Sequence, residues 1–169
     1  VIVYGLGVTG FSVADTLVEL GSEVLVIAEK ADPERTDILD VLGVKVLILP
    51  EAQQQINELE TFQPDLVITS PGVPPSSAFI QKVRSSGFPL WTDIDLAWRL
   101  RDKTERLAHW FTITGTNGKT TTVQLLTAML NQGGIKAEAC GNIGKPILDA
   151  IRDPDGFDAL VVELSSFQL

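Results

Sequence analysis

The sequence predicts an α/β chain in two parts, each built on a parallel sheet. Three observations carry that expectation. Short apolar runs rich in β-branched residues alternate with segments of helical spacing along the chain. Glycines close most of the helical segments, at Gly21, Gly43, Gly87 and Gly133-Gly134. Two glycine clusters, Gly5-Leu-Gly7-Val-Thr-Gly10 and Gly115-Thr-Asn-Gly118-Lys-Thr-Thr121, stand where an apolar run passes into a helix. That is where backbone N–H groups can converge on phosphate oxygens.

Taken in order, Val1 to Tyr4 reads as a buried strand. After the first glycine cluster comes a helix with Val13, Ala14, Leu17 and Val18 inward. Gly-x-Gly-x-x-Gly in this setting is the dinucleotide fingerprint, which marks close approach of a phosphate without identifying the nucleotide. Glu23 to Ala28 is the second strand, and Glu29 at its end is either a contact to a ribose hydroxyl or a solvated loop residue. Asp32-Pro33-Glu34 opens a helix to about Leu42, with Asp32 as its cap. Val44 to Leu49 is a third strand. Glu51 to Phe62 is a helix with Ile56 and Leu59 as its buried pair, and Asp65 to Thr69 is a fourth strand. The loop Ser70-Pro71-Gly72-Val-Pro-Pro75 fits either a ligand-lining loop at a strand's carboxyl end or a stiff turn. Ser76 is read as the cap of a helix with Phe79, Ile80 and Val83 inward, and Pro89 to Trp91 as a fifth strand. Residues 1–91 thus form a Rossmann-like, doubly wound parallel sheet.

Residues 92–169 read as a second, partial α/β domain. Thr92 or Asp93 caps a helix through Leu100, and the mixed-charge run Arg99 to Arg106 is a solvated helix end and linker. His109 is structural, and Trp91, Trp98 and Trp110 pack near the junction. Phe111 to Thr114 is a strand leading into the second glycine cluster, and the helix after it places Val123, Leu126, Met129 and Leu130 on one face. Strand, glycine turn, Lys-Thr and helix make a phosphate-binding loop of the P-loop NTPase type, with Gly115, Thr116, Asn117, Gly118, Lys119, Thr120 and Thr121 around an ATP phosphate chain. Lys119 reaches the β- and γ-phosphates, and the Thr120 hydroxyl ligates Mg²⁺. The loop is shorter than the Walker spacing, because Ile113 stands where that pattern wants its first glycine. Ile135 to Cys140 is a further strand, followed by the turn Gly141-Asn142-Ile-Gly144 and a helix with Ile147, Leu148 and Ile151 inward. Asp158 to Val162 then delivers Glu163 to a strand end, where an acidic residue beside a phosphate loop helps hold Mg²⁺.

The chain has 169 residues, 44% apolar and 21% charged, with a net charge of −9. This acidity argues against nonspecific nucleic-acid binding. An anionic ligand must be captured by local dipoles and a few cations. With Cys140 as the only cysteine, no intrachain disulfide can form, which fits a reducing, cytoplasmic setting. Cys140 is expected to pack as a small apolar residue. No apolar run reaches membrane-spanning length and no signal peptide is visible, so no membrane partner is expected. Val1 opens directly in a strand and Leu169 ends just past one, so the chain is expected to be part of a longer protein, and a monomer.

Read together, Thr114-Gly-Thr-Asn-Gly-Lys-Thr-Thr121, Gly141-Asn-Ile-Gly144 and Glu163-Leu-Ser-Ser-Phe-Gln-Leu169 resemble the Mur ligase family, the ATP-dependent amide ligases of peptidoglycan precursor synthesis. The resemblance runs from the Gly5 turn to the last residue and is nearest to the D-glutamate-adding branch. It implies ATP and Mg²⁺ as cofactors, and UDP-N-acetylmuramoyl-L-alanine and D-glutamate as substrates. It implies that Val8 and Thr9 contact the uridine nucleotide's phosphates and that Ser70, Pro71 and Gly72 line the same site. Asn142, Ser165 and Gln168 would hold the muramoyl substrate, Lys119 and Thr120 the ATP phosphates, and Thr120 and Glu163 the Mg²⁺. Where the family pattern wants an Asp-centred uracil contact, this chain has Ala28-Glu29-Lys30, and any of the three is open for that role. By the same resemblance these residues alone should bind nucleotide without forming an amide bond. The alternatives are another Mur-type or folylpolyglutamate-type ligase, an NAD-dependent dehydrogenase, a P-loop switch, or a non-catalytic nucleotide-binding module. A dehydrogenase explains Gly5, Gly7 and Gly10 but leaves Lys119 and Glu163 without a task.

Overall fold

A computed structural model describes residues 1–103 and 107–168. The chain divides into two compact units, Val1–Asp93 and Ile94–Leu169.

The first unit runs β1 (Ile2–Tyr4), α1 (Val8–Glu19), β2 (Leu25–Ala28), α2 (Pro33–Val41), β3 (Lys45–Ile48), α3 (Ala52–Phe62), β4 (Val67–Thr69), α4 (Ala78–Ser85) and β5 (Leu90–Thr92). The sheet order is β3-β2-β1-β4-β5, and every pairing is parallel. This is the doubly wound sheet the alternation predicts. β1 and β2 are buried throughout, as strands covered on both faces must be. Ile2, Tyr4, Leu25, Ile27, Leu59, Val67, Phe79, Ile80 and Val83 form one apolar core. Each buried branched or aromatic side chain there contributes about 1.5–3 kcal/mol.

Local chemistry explains the helix boundaries. Asp32 caps α2 as expected: its carboxylate accepts from the Arg35 N–H at 3.1 Å, and Pro33 needs no partner at the first helical position. The cap of α4 is Ser77 and not Ser76, accepting from the Ile80 N–H. The Ser77 N–H closes a turn on the Pro74 carbonyl at 3.0 Å, so the proline pair uses up Ser76 before the helix begins. The buried pair of α3 also differs from the expected one. Gln55 and Leu59 are buried, and Ile56 is only half-buried. Gln55 turns inward because both ends of its amide find partners there.

The second unit contains α5 (Asp93–Leu100, its first residue at the boundary), a 3₁₀ turn Arg101–Lys103, β6 (His109–Ile113), α6 (Lys119–Gln132), β7 (Ala137–Gly141), α7 (Ile147–Ile151) and β8 (Ala159–Glu163). Residues 104–106 of the charged run, read above as linker, and Leu169 lie outside the described residues. The described sheet has the order β6-β8-β7, again parallel. β8 is buried along its whole length. Trp98 meets Trp110 edge-on, with centroids 5.3 Å apart, and the Arg101 guanidinium lies over Trp98. Cys140 is fully buried, as a packing residue should be. Along α6 only Val123 is buried, Leu126 and Leu130 are half-buried, and Met129, expected inward, is 61% exposed. The three described strands under α6 cover only the stripe through Val123. In α7, Ala150 is buried with Ile147 and Leu148, while Ile151 is half-buried.

Candidate functional site

Each unit carries one strand–glycine turn–helix site, and each is built differently. In the first, the Gly5 N–H donates to the Ile27 carbonyl at 2.8 Å, and Gly5 adopts φ +109°, which suits only glycine. Gly10 sits against it: a Cβ on Gly10 would lie 1.9 Å from the Gly5 carbonyl oxygen. A Cβ on Gly7 would meet nothing within 4 Å. Gly7 also caps α1, with no side-chain cap bond and no acid in the first turn. The helix therefore begins with uncapped N–H donors and the positive end of its dipole, a setting that attracts phosphate.

Beside this turn is a cavity of about 410 Å³ lined by Tyr4–Gly7, Ala28–Asp32 and Gly72–Pro74. Gly72, expected in the site, lines it, and so do Ala28, Glu29 and Lys30. The other four expected residues are outside that lining. Val8 and Thr9 form the first turn of α1, with Val8 exposed. Ser70 supports the turn from behind: its N–H donates to the Tyr4 carbonyl at 3.0 Å, and its hydroxyl lies 3.5 Å from the Gly5 carbonyl. Pro71 continues the same loop, half-buried. Two residues of this region were not singled out from the sequence. The Tyr4 hydroxyl donates to Gln55 Oε1 at 2.8 Å and lies 3.3 Å from Glu29 Oε1. Gln55 Nε2 donates to the Leu49 carbonyl at 2.7 Å. Burial, followed by the Glu29 carboxylate, pushes the Tyr4 phenol up to about 12, so it remains a neutral donor. The available signal was a tyrosine in an otherwise aliphatic strand.

In the second unit, Gly115 (φ +151°) and Gly118 (φ +76°) shape the loop, and Gly118 caps α6 without a side-chain bond or a first-turn acid. Thr116 and Asn117 are exposed between them. Lys119 Nζ donates to the Gly115 carbonyl at 2.8 Å, so the ammonium spans the loop. Thr120 Oγ1 donates to Glu163 Oε2 at 2.8 Å across 43 residues of sequence, and Glu163 is 3% exposed. Thr121, beside it in the first turn, is exposed. The register explains the meeting: Glu163 pairs with Ile113 on one side and Gly141 on the other, so β8 delivers its carboxylate between two glycine turns. The Asn142 N–H donates to the Glu163 carbonyl at 2.9 Å, and a Cβ on Gly141 would lie 2.6 Å from that oxygen. The exposed Asn142 therefore stands beside Glu163. Gln168 Oε1 accepts from the Ser165 N–H at 2.8 Å, and the buried Ser165 hydroxyl has no hydrogen-bond partner among the described residues.

Among the described residues no group of three or more His, Cys, Asp or Glu gathers as a metal cage. One hydroxyl and one carboxylate beside a phosphate loop still fit Mg²⁺. That ion prefers oxygen ligands and usually takes only one or two from protein, the rest from water and phosphate. No helix of the described residues is long and apolar enough to cross a membrane.

The chain matches the family described as "Mur ligase MurD-like, N-terminal domain" over residues 1–92, and "Mur ligase middle domain" over residues 113–169. It is 54% identical over 175 residues to the UDP-N-acetylmuramoylalanine–D-glutamate ligase of Leifsonia xyli subsp. xyli, covering 100% of this chain and 34% of that protein. It is 44% identical over 167 residues to the ligase of the same name from Tropheryma whipplei, covering 99% of this chain and 34% of that one. The chain thus spans about a third of the length of the curated relatives it matches. Among solved structures it shares its fold with the UDP-N-acetylmuramate:L-alanyl-gamma-D-glutamyl-meso-diaminopimelate ligase from Neisseria meningitides, at TM-score 0.52 and 22% identity, over 97% of this chain and 51% of that one. It shares it likewise with the UDP-N-acetylmuramate-alanine ligase from Thermotoga maritima, at TM-score 0.51 and 21% identity, over 96% and 36%. With a family match across more than half its length and both glycine turns in matching regions, the chain belongs to the Mur ligase family, with a MurD-like N-terminal domain.

Proposed function

We propose that this chain supplies the uridine-nucleotide site and the ATP-phosphate site of a cytoplasmic ligase that joins D-glutamate to UDP-N-acetylmuramoyl-L-alanine. The observation that carries the reading is the Thr120–Glu163 hydrogen bond at the mouth of the phosphate loop. A structural glycine turn needs neither residue, and a dehydrogenase gives them nothing to do. Relatives carrying that activity in their names, 54% and 44% identical, support the choice of substrates.

In this reading the first unit holds the UDP moiety, its phosphates on the N–H groups of Val8 and Thr9 and its nucleoside in the cavity bounded by Gly72. Ser70 and Pro71 hold that loop in place. Gly115 to Thr121 wrap the ATP phosphates, and Lys119 leaves the Gly115 carbonyl to meet the β- and γ-phosphates. Lys119 thereby neutralises charge that grows on the transferring phosphoryl group. Thr120 and Glu163 would hold Mg²⁺, which would supply charge neutralisation for the phosphates. Asn142, Ser165 and Gln168 orient the muramoyl substrate, with the exposed Asn142 presented to it. Phosphoryl transfer to the terminal alanine carboxylate gives an acyl phosphate. The D-glutamate amine then attacks its carbonyl carbon and phosphate leaves. The rate comes largely from holding the reactants in register.

The test is phosphate release by the full-length protein that contains this chain. Release should require both UDP-N-acetylmuramoyl-L-alanine and D-glutamate. Release that ignores either substrate would overturn the reading.

A further inference from the structure

Under the cavity of the first unit runs a chain of buried polar groups in an otherwise apolar core. The Leu49 carbonyl accepts from Gln55 Nε2 at 2.7 Å, and Gln55 Oε1 accepts from the Tyr4 hydroxyl at 2.8 Å. That hydroxyl lies 3.3 Å from Glu29 Oε1. Gln55 and Tyr4 are 2% and 3% exposed. Burying an amide and a phenol costs stability unless both are hydrogen-bonded, so such a chain calls for an explanation.

The geometry leaves little freedom. Only the NH₂ end of Gln55 can meet a carbonyl, so Leu49 fixes which end faces Tyr4. The Tyr4 ring is held by stacking on Phe79, with centroids 4.2 Å apart. One hydroxyl proton serves two acceptors, and the shorter contact is to Gln55. Glu29 therefore rests against an anchored hydroxyl and keeps acceptor capacity toward the cavity it lines. The other carboxylate in the lining, Asp32, is already engaged by the Arg35 N–H and the Arg35 guanidinium. A phosphate is repelled by Glu29 and attracted to the start of α1, so the two ends of the cavity favour opposite ends of a nucleotide.

We propose that Tyr4, pinned by Gln55, is a positioning residue that fixes Glu29 as the acceptor for an N–H or O–H donor on the nucleoside. This deepens the uridine-nucleotide reading and rests on it. The donor is either the imide N–H of the pyrimidine ring or a ribose hydroxyl. Pre-setting an exposed carboxylate spares the ordering cost at the moment of binding.

The experiment is calorimetric titration of the full-length protein with UDP, N3-methyl-UDP and 2′-deoxy-UDP. Wild type is compared with Tyr4→Phe, Glu29→Ala and the double variant. Glu29→Ala should weaken UDP about ten-fold and Tyr4→Phe about five-fold, as expected for loss and misplacement of a charge-assisted bond. In the Glu29→Ala background, Tyr4→Phe should weaken it no further. One analogue, the one lacking the donor, should lose affinity on wild type and lose nothing on Glu29→Ala. Should Tyr4→Phe fail to fold, Gln55→Met leaves the hydroxyl proton to Glu29 alone, so UDP should bind as well or better while Glu29 is present; an equal loss of affinity with and without Glu29 would overturn the role. Additive effects, or two analogues that bind wild type as well as UDP does, would overturn the positioning role alone. Wild-type protein that binds no UDP would overturn the nucleotide reading and this role with it.

Discussion

The two glycine turns look alike in the sequence and do different work in the fold. At Gly5–Gly10 the glycines supply close packing and open backbone at once. Gly10 lets α1 lie against the Gly5 carbonyl, while Gly7 keeps an open surface. At Gly115–Gly118 the glycines have open space around them, no atom nearer than 3.8 Å to an added Cβ. The chemistry there sits in side chains: Lys119 across the loop, Thr120 on Glu163. In the proposed reading, one turn offers a backbone surface for a ligand that is held, and the other offers charges for a group that is transferred. A glycine pattern alone therefore reports that something anionic approaches, and the neighbouring side chains report what happens to it.

That contrast can be broken experimentally, beginning with the transfer site. Lys119→Ala in the full-length protein should lower kcat by about 100-fold or more, since one preorganised donor at a transferring group is worth roughly 3 kcal/mol. Steady-state phosphate release checks it, and near-normal turnover would remove Lys119 from the chemistry. Glu163→Gln should keep the fold and lower activity by about ten-fold at saturating Mg²⁺, with the Mg²⁺ titration moved to higher concentration. An unchanged Mg²⁺ curve would make Glu163 a packing partner of Thr120. At the holding site the two inner glycines should separate. Gly10→Ala should cost the first unit about 3 kcal/mol, because its Cβ would lie 1.9 Å from the Gly5 carbonyl oxygen, where backbone must shift. Gly7→Ala should leave thermal unfolding unchanged and weaken UDP by about ten-fold, because its Cβ intrudes only where a phosphate approaches. Equal effects of the two substitutions on melting would erase the distinction. The smallest effect belongs to a helix cap at the edge of the first cavity. Asp32→Ala should cost about 1 kcal/mol by uncapping α2, readable as a shift in the urea midpoint.

The sheet of the first unit was legible because most of its strands are short branched runs and three of its four helices are followed by a glycine, α3 ending instead at Gln63. The Thr120–Glu163 meeting was legible for a related reason: a phosphate loop and an acid at the end of another strand are both local signals. What escaped was polar and buried. Gln55 interrupts the apolar period of α3, and a periodicity argument prefers Ile56. Only a partner from β1 and a carbonyl after β3, both distant in sequence, make the glutamine the better inward residue. Ser77 escaped because a turn closed by Pro74 competes with the helix for the serines. Met129 escaped because an apolar stripe says which face of α6 is sticky and does not say how much sheet lies beneath it. Of the residues expected at the uridine nucleotide, Gly72 borders the cavity, but no local signal marks Ser70 as a brace behind the turn.

The position of β8 has a consequence for how the second unit comes into being. Among the described residues β6 and β7 do not pair with each other, and both pair with β8, which leaves the ribosome after them. Until residues 159–163 arrive, the loop after β6 and the turn after β7 have no common frame. Closing that gap joins contacts far apart in sequence, a step that is slow by nature. Nascent chains halted before Ala159 should therefore leave β6 open to protease, and those extended past Glu163 should protect it. Among the described residues the strand that joins β6 to β7 is also the one that carries Glu163, so joining those strands and bringing Glu163 to Thr120 are a single event.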